Sequence, residues 1–169
     1  MAAEATKPTR PPPRGRPWLL RLLSLYPPFA GAGIRVRVVP GDPPGFESRM
    51  SLRFWNGNYF GTHFGGSLYT MCDPFFVLIL ARELGHDYAV WDKAATIRFR
   101  RPGRGTVRAV FEIPRVKVEE IRAAADAGEK LEPVFFAEVR DEAGELVAEV
   151  EKVLSVRRTD RRQPATASS

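Results

Sequence analysis

The 169-residue sequence has one cysteine, two histidines and no uninterrupted apolar run of membrane-spanning length. Each shortage excludes something. Cys72 alone can form no intrachain disulfide, nothing points to an oxidising compartment, and a cytoplasmic protein is the expectation. So few histidines and cysteines leave no set of ligands at metal-binding spacing, and neither a metal nor a redox cofactor is expected. Residues 66–84 are largely apolar, but Thr70, Cys72, Asp73, Pro74 and Arg82 interrupt them, and a bilayer needs about 20 consecutive apolar residues. No membrane span is expected. Near the N-terminus, Arg21 breaks residues 18–23 too early for a signal-peptide apolar region.

What is present fits a folded domain. Hydrophobic residues make up 44% of the chain, enough for a real core at this length. The net charge of +6 and pI near 9.9 would ordinarily point to a nucleic-acid or anionic-surface partner. The excess sits at the ends. Residues 1–17 hold Lys7, Arg10, Arg14 and Arg16 against Glu4, and residues 157–169 hold Arg157, Arg158, Arg161 and Arg162 against Asp160. Removing these eight basic and two acidic residues leaves 18 of each, so the folded part is neutral and no nucleic-acid partner is expected for it. Attachment of the two tails to a polyanion or an anionic membrane stays open, and steep salt dependence would reveal it.

The proline- and arginine-rich segment 1–17 is expected to be disordered, as is the basic tail 158–169, leaving one domain over 18–157. Residues 18–26 read as a short amphipathic helix stopped by Pro27 and Pro28, with a transit or membrane-surface role as its alternative. From Ile34 the apolar period becomes two. Ile34, Val36 and Val38 alternate with Arg35 and Arg37. After the turn at 40–45, Phe46, Ser48, Met50, Leu52 and Phe54 oppose Glu47, Arg49, Ser51 and Arg53, a strand with one wet and one buried side. Further strands are expected at 88–101, 106–113, 133–141 and 145–157, the last two joined by a hairpin at 142–144, with a helix at 115–127 carrying Val116, Ile121 and Ala125.

The stretch 58–85 organises the rest. It opens on a glycine-rich loop with Asn58 and His63 and runs through Gly65 and Gly66 into a helix apolar on nearly every side, which has to be buried. Gly85 is its expected stop. Everything around it reads as strand, so the expected fold is α+β, with one long helix gripped by a curled antiparallel sheet.

That order, together with the spacing Asn58, Gly61, Gly65-Gly66 and Asp73, resembles the hotdog fold, specifically acyl-CoA thioesterases of the phenylacetate-pathway type and a related branch of uncharacterised domains. Residues 33–157 carry the resemblance. Where those enzymes have a histidine before the two glycines, this chain has Phe64, with His63 one residue early. The resemblance implies hydrolysis of an acyl-CoA thioester without any cofactor and a polar helper near Asp92. It also implies a homodimer whose sites are built across the interface, Asp73 of one subunit facing Gly65 and Gly66 of the other; homotetramers are common in the superfamily.

The residues support that chemistry on their own terms. Backbone amides at Gly65 and Gly66 can receive the charge a thioester carbonyl develops under attack. Asp73, expected among Met71, Phe75 and Phe76, would be a base toward water or a nucleophile, Asn58 would position the water or the carbonyl, and His63 is a further candidate base. Each residue has a plainer role. Asp73 before Pro74 is a good helix cap, Asn58 a turn residue, His63 a loop histidine and Cys72 a core side chain. Arg98, Arg100, Arg101, Arg104 and Arg108 fall in eleven residues without an acid. Such a cluster suits the phosphates of coenzyme A, and the first four, with Phe64 and Asp92, form the expected substrate-binding set. Cross-sheet pairing of these arginines with Glu112 or Glu138 is the alternative. The rival function is a non-catalytic hotdog protein that binds an acyl chain or acyl-CoA as a scaffold, favoured by Phe64.

Overall fold

The computed structural model describes residues 23–159. The expected tail at 1–17, most of the expected helix at 18–26 and residues 160–169 lie outside that range. A 3-10 turn at Leu23–Leu25 leads into α1 (Pro27–Ala32), β1 (Ile34–Val39), β2 (Gly45–Ser51), α2 (Gly65–Thr70), α3 (Phe75–Leu84), β3 (Tyr88–Phe99), β4 (Thr106–Phe111), α4 (Arg115–Asp126), β5 (Val134–Asp141) and β6 (Leu146–Arg158). Pro27 and Pro28 therefore start a helix instead of stopping one. Proline at the first helical positions gives up an amide that no helix would use there. Arg158 belongs to β6 and not to a tail.

The six strands form one antiparallel sheet in the order β1-β2-β4-β5-β6-β3. Its inner face curls around α2 and α3. Alternation sets that face: Phe46, Ser48 and Met50 of β2 are all fully buried. The strand ends at Ser51, however, and Phe54 beyond it is 95% exposed, so Leu52 and Phe54 do not continue the buried row. In α4 the inward residues are Val118, Ile121 and Ala125, with Val116 exposed.

The core is aromatic. Phe75 stacks on Phe111 with ring centroids 4.5 Å apart, and Phe76 on Phe135 at 5.0 Å. Each such ring contributes roughly 1.5–3 kcal/mol by burial alone. Glu83 on α3 is buried yet charged, and Arg115 meets it at 2.7 Å from the start of α4, tying that helix to the central one.

The central helix is broken. Cys72 N–H and Asp73 N–H bond to the carbonyls of Tyr69 and Thr70, tightening residues 71–74 into turns before α3 restarts at Phe75. Proline explains the break, because Pro74 has no amide to give and its ring crowds the preceding turn. The Met71 carbonyl accepts instead from the Ser48 hydroxyl at 2.6 Å, across the helix–sheet seam. Among the described residues, no helix is long and apolar enough to cross a membrane.

Candidate functional site

Asp73 sits on the helix break. Its side chain does not cap α3; the N-cap position falls on Pro74, with no side-chain cap bond. Nor is it enclosed by Met71, Phe75 and Phe76, which point into the core while the Asp73 side chain stays 46% exposed. A turn of tight geometry directs it away from the apolar face. One oxygen is committed: Oδ1 accepts from the Tyr69 hydroxyl at 2.7 Å and from Lys152 Nζ at 2.9 Å. Oδ2 makes no hydrogen bond among the described residues.

Lys152 comes from β6 and is 0% exposed. The same Nζ lies 2.9 Å from Asp92 Oδ1 and 3.2 Å from the Tyr69 hydroxyl. Burial pulls the ammonium's pKa down, but the hydrogen bonds it donates to Asp73, Asp92 and Tyr69 together hold it above its ordinary value. Asp92 reaches the cluster through a bulge. Asp92 is opposite Leu154 and Ala94 opposite Val153, so Lys93 is the extra residue. Tyr88, Val90 and Asp92 face inward before it, and Ala95, Ile97 and Phe99 after it. The structure thus joins Asp73 and Asp92, two residues expected in the site, through two that the sequence reading passed over, Lys152 and Tyr69. A signal existed: Val150, Lys152, Leu154 and Val156 alternate as an inward row, and a lysine within such a row demands an acidic partner. Cys72 is buried beside this cluster, and burial pushes its thiol pKa up, which makes it an inert core side chain.

The glycine-rich loop lies apart from Asp73 in the same protomer. It lines a cleft of about 570 Å³ with Asn58, His63, Gly65, Phe99, Arg100 and Arg104 on its walls. Asn58 is spent inside the loop. Its Oδ1 accepts from the Phe60 and Thr62 amides at 2.9 and 3.1 Å, and its Nδ2 donates to Thr62 Oγ1 and the His63 carbonyl. With both donors and both lone pairs engaged, nothing remains for a water or a carbonyl. His63 is 2% exposed and its Nε2 donates to the Gly105 carbonyl at 3.1 Å. Burial lowers its pKa, so the ring is neutral, with an unpartnered Nδ1. It fastens the loop to the turn at 103–105. Phe64 lies over Gly66, where an added Cβ would come within 2.5 Å of the ring, and Phe99 covers Gly65 at 3.0 Å. A Cβ at either position would push the facing ring aside. The amides at both positions are those that the first turn of a helix leaves without an internal acceptor.

The arginines divide. Arg98 pairs with Glu151, Arg100 with Glu149, and Arg101 with Asp141 and Glu145. These acids lie on or beside β6 and β5, in place of the expected Glu112 and Glu138, because the β3–β6 register sets Arg98 opposite Glu149. Arg104, at the cleft, makes no side-chain hydrogen bond or ion pair among the described residues. No group of histidines, cysteines and carboxylates among the described residues could hold a metal ion.

A family model described as a domain of unknown function, DUF4442, matches residues 16–156. No curated protein matches the chain. Among solved structures, a Pseudomonas aeruginosa protein of unknown function, described as a probable thioesterase, superposes with a TM-score of 0.73 at 25% identity, covering 87% of this chain and 98% of that one. A Haemophilus influenzae thioesterase superposes at 0.61 with 18% identity, over 86% and 94%. A Bacillus halodurans protein crystallised with CoA superposes at 0.50 with 22% identity, over 65% and 66%. The architecture shared with these structures is the hotdog fold.

Proposed function

The chain belongs to the DUF4442 family of domains of unknown function, and from that premise we propose that it is a thioesterase, hydrolysing an acyl-CoA thioester to the free acid and coenzyme A. The observation that carries the reading is Asp73: a carboxylate anchored through one oxygen, with the other unbonded among the described residues, and half open to solvent at a break in the central helix. Likeness to a probable thioesterase and to a protein crystallised with CoA supports the substrate class. Fold alone would not, since one fold hosts many activities.

In this reading Oδ2 takes a proton from water as the water attacks the thioester carbonyl, or attacks that carbon itself. The carbonyl oxygen becomes negative and is met by the Gly65 and Gly66 amides. Coenzyme A then leaves through its sulfur. In the first route its thiolate takes the proton held on Oδ2; in the second, water hydrolyses the acyl-Asp73 anhydride, restoring the carboxylate and releasing the acid while the thiolate takes the proton. Arg104 would receive a phosphate at the cleft. One protomer does not suffice. Asp73 follows Gly65 by eight residues, across the helix break, and is not among the residues that line the cleft beside Gly65. Two copies joined along β3 would bring them together. β3 is a twelve-residue edge strand that itself carries Trp91, 71% exposed, and an open edge of that length favours strand pairing.

The test is free-thiol release over short, medium, long and aryl acyl-CoAs for wild type and Asp73→Asn, each sized by light scattering. Asparagine preserves the Oδ1 contacts, so fold and dimer size should persist while turnover falls by roughly 10²–10⁴-fold. A single turnover in ¹⁸O-water then tests for the nucleophilic role, since label in Asp73 arises only when water attacks the aspartyl carbon of an acyl-Asp73 anhydride. Wild type that binds acyl-CoA but turns over none of the panel would establish the scaffold function instead.

A further inference from the structure

We propose that Lys152 is the positioning residue of this site, a buried ammonium that fixes Asp73 through Oδ1 and shares its charge between Asp73 and Asp92. The inference rests on the reading of Asp73 as the reactive carboxylate. Its own ground is the coordination of Nζ. An ammonium has three protons to donate, and Nζ has three acceptors, the Tyr69 hydroxyl on α2, Asp73 Oδ1 in the turn after it and Asp92 Oδ1 on β3. Packing does not call for a lysine here. Flanked by Val150 and Leu154, opposite Phe135 on β5 and Ala95 on β3, the position could be filled by an apolar side chain of similar length, and what a lysine adds is the charge that the two carboxylates meet.

The bulge at Lys93 points the same way. A regular β3 could not set both Asp92 and the Ile97 and Phe99 pair on the inner face; the extra residue permits it, so Asp92 reaches Nζ while Phe99 still covers Gly65. Lys152 thereby locks the orientation of Asp73, leaving Oδ2 as the reacting oxygen. It also separates two carboxylates that would otherwise face one another. The remaining titratable groups at the cluster are Tyr69 and Cys72, whose pKa values burial raises, so both stay neutral in the working range. With the cation removed, the Asp73 and Asp92 carboxylates would face one another as like charges with no cation between them.

The experiment compares wild type, Asp73→Asn, Lys152→Met, Asp92→Asn and Lys152→Met/Asp92→Asn by thermal melting, kcat, KM and the pH dependence of kcat. Lys152→Met should fold, lose at least tenfold in kcat with KM changed less than about threefold, and move the acid limb of its profile up by a pH unit or more. Asp92→Asn in that background should bring the limb back down; on its own it should shift the wild-type limb to lower pH. A folded Lys152→Met with wild-type kcat and profile overturns the inference while leaving the thioesterase reading intact, provided Asp73→Asn is inactive. Should Lys152→Met fail to fold, an unshifted limb in Asp92→Asn overturns it. An active Asp73→Asn, or an inactive wild type, removes both readings together.

Discussion

Ser48→Ala isolates the contact that holds the helix break. Ser48 is the one polar residue in the inward row of β2, between Phe46 and Met50, and all three are fully buried. Its hydroxyl donates to the Met71 carbonyl, an acceptor that no helical amide reaches because the helix is interrupted at Pro74. Alanine removes one oxygen, so the cavity term is small. The main loss is a carbonyl left buried without a partner, about 1–3 kcal/mol. At the middle of that range, a domain of this size should melt about 4–8 °C lower. Urea unfolding should show a lower midpoint at unchanged slope, which separates lost stability from a changed denatured state. Ser48→Cys, a weaker donor, should fall between. A loss in Ser48→Ala below about 0.5 kcal/mol would refute the reasoning, placing the stability of the break in the tight turns of 71–73 alone.

Two further substitutions test the frame. His63 is neutral and buried with a folded pKa below its ordinary 6.5, so the unfolded state binds the proton first; stability should be full above pH 6.5 and decline as pH falls toward the folded value. Urea midpoints across this range should show the decline in wild type and a flatter profile in His63→Gln, whose amide can still donate to Gly105. Gly45→Ala sets a Cβ 2.4 Å from the Phe111 carbonyl oxygen, forcing β2 from β4 and costing roughly 3 kcal/mol. The same change at Gly31, in α1 with nothing within 4 Å, should raise the urea midpoint by a stabilisation of roughly 0.5–1 kcal/mol.

Local pattern carried most of the fold. The two-residue period of β1 and β2, the apolar stretch from Gly66 to Leu84 and the turn at 142–144 each encode their element within a few residues. Pro27 misled because a proline pair ends one helix and begins another with equal ease, and only the packing of Phe29 into the core decides which. Asp73 was legible as a residue but not in its surroundings. Apolar neighbours in sequence implied apolar neighbours in space, whereas the turn at 71–74 sends Met71 inward and Asp73 toward a lysine 79 positions away. Asn58 looked free because its partners, Phe60, Thr62 and His63, are backbone and hydroxyl groups of its own loop. The arginine pairs depend on register, which no single strand reveals.

The extra residue at Lys93 also governs how this chain can be compared with others. On its N-terminal side, even-numbered residues face the core; on its C-terminal side, odd-numbered residues do. A relative lacking the bulge would be one residue shorter here, and an alignment that placed the gap elsewhere in β3 would match inward residues to outward ones over the intervening span. Single-residue insertions or deletions between Asp92 and Phe99 are therefore inversions of the strand's two faces, whereas one confined to position 93 removes only the kink. Any inventory of acidic residues at position 92 across the family has meaning only when the gap is held at 93.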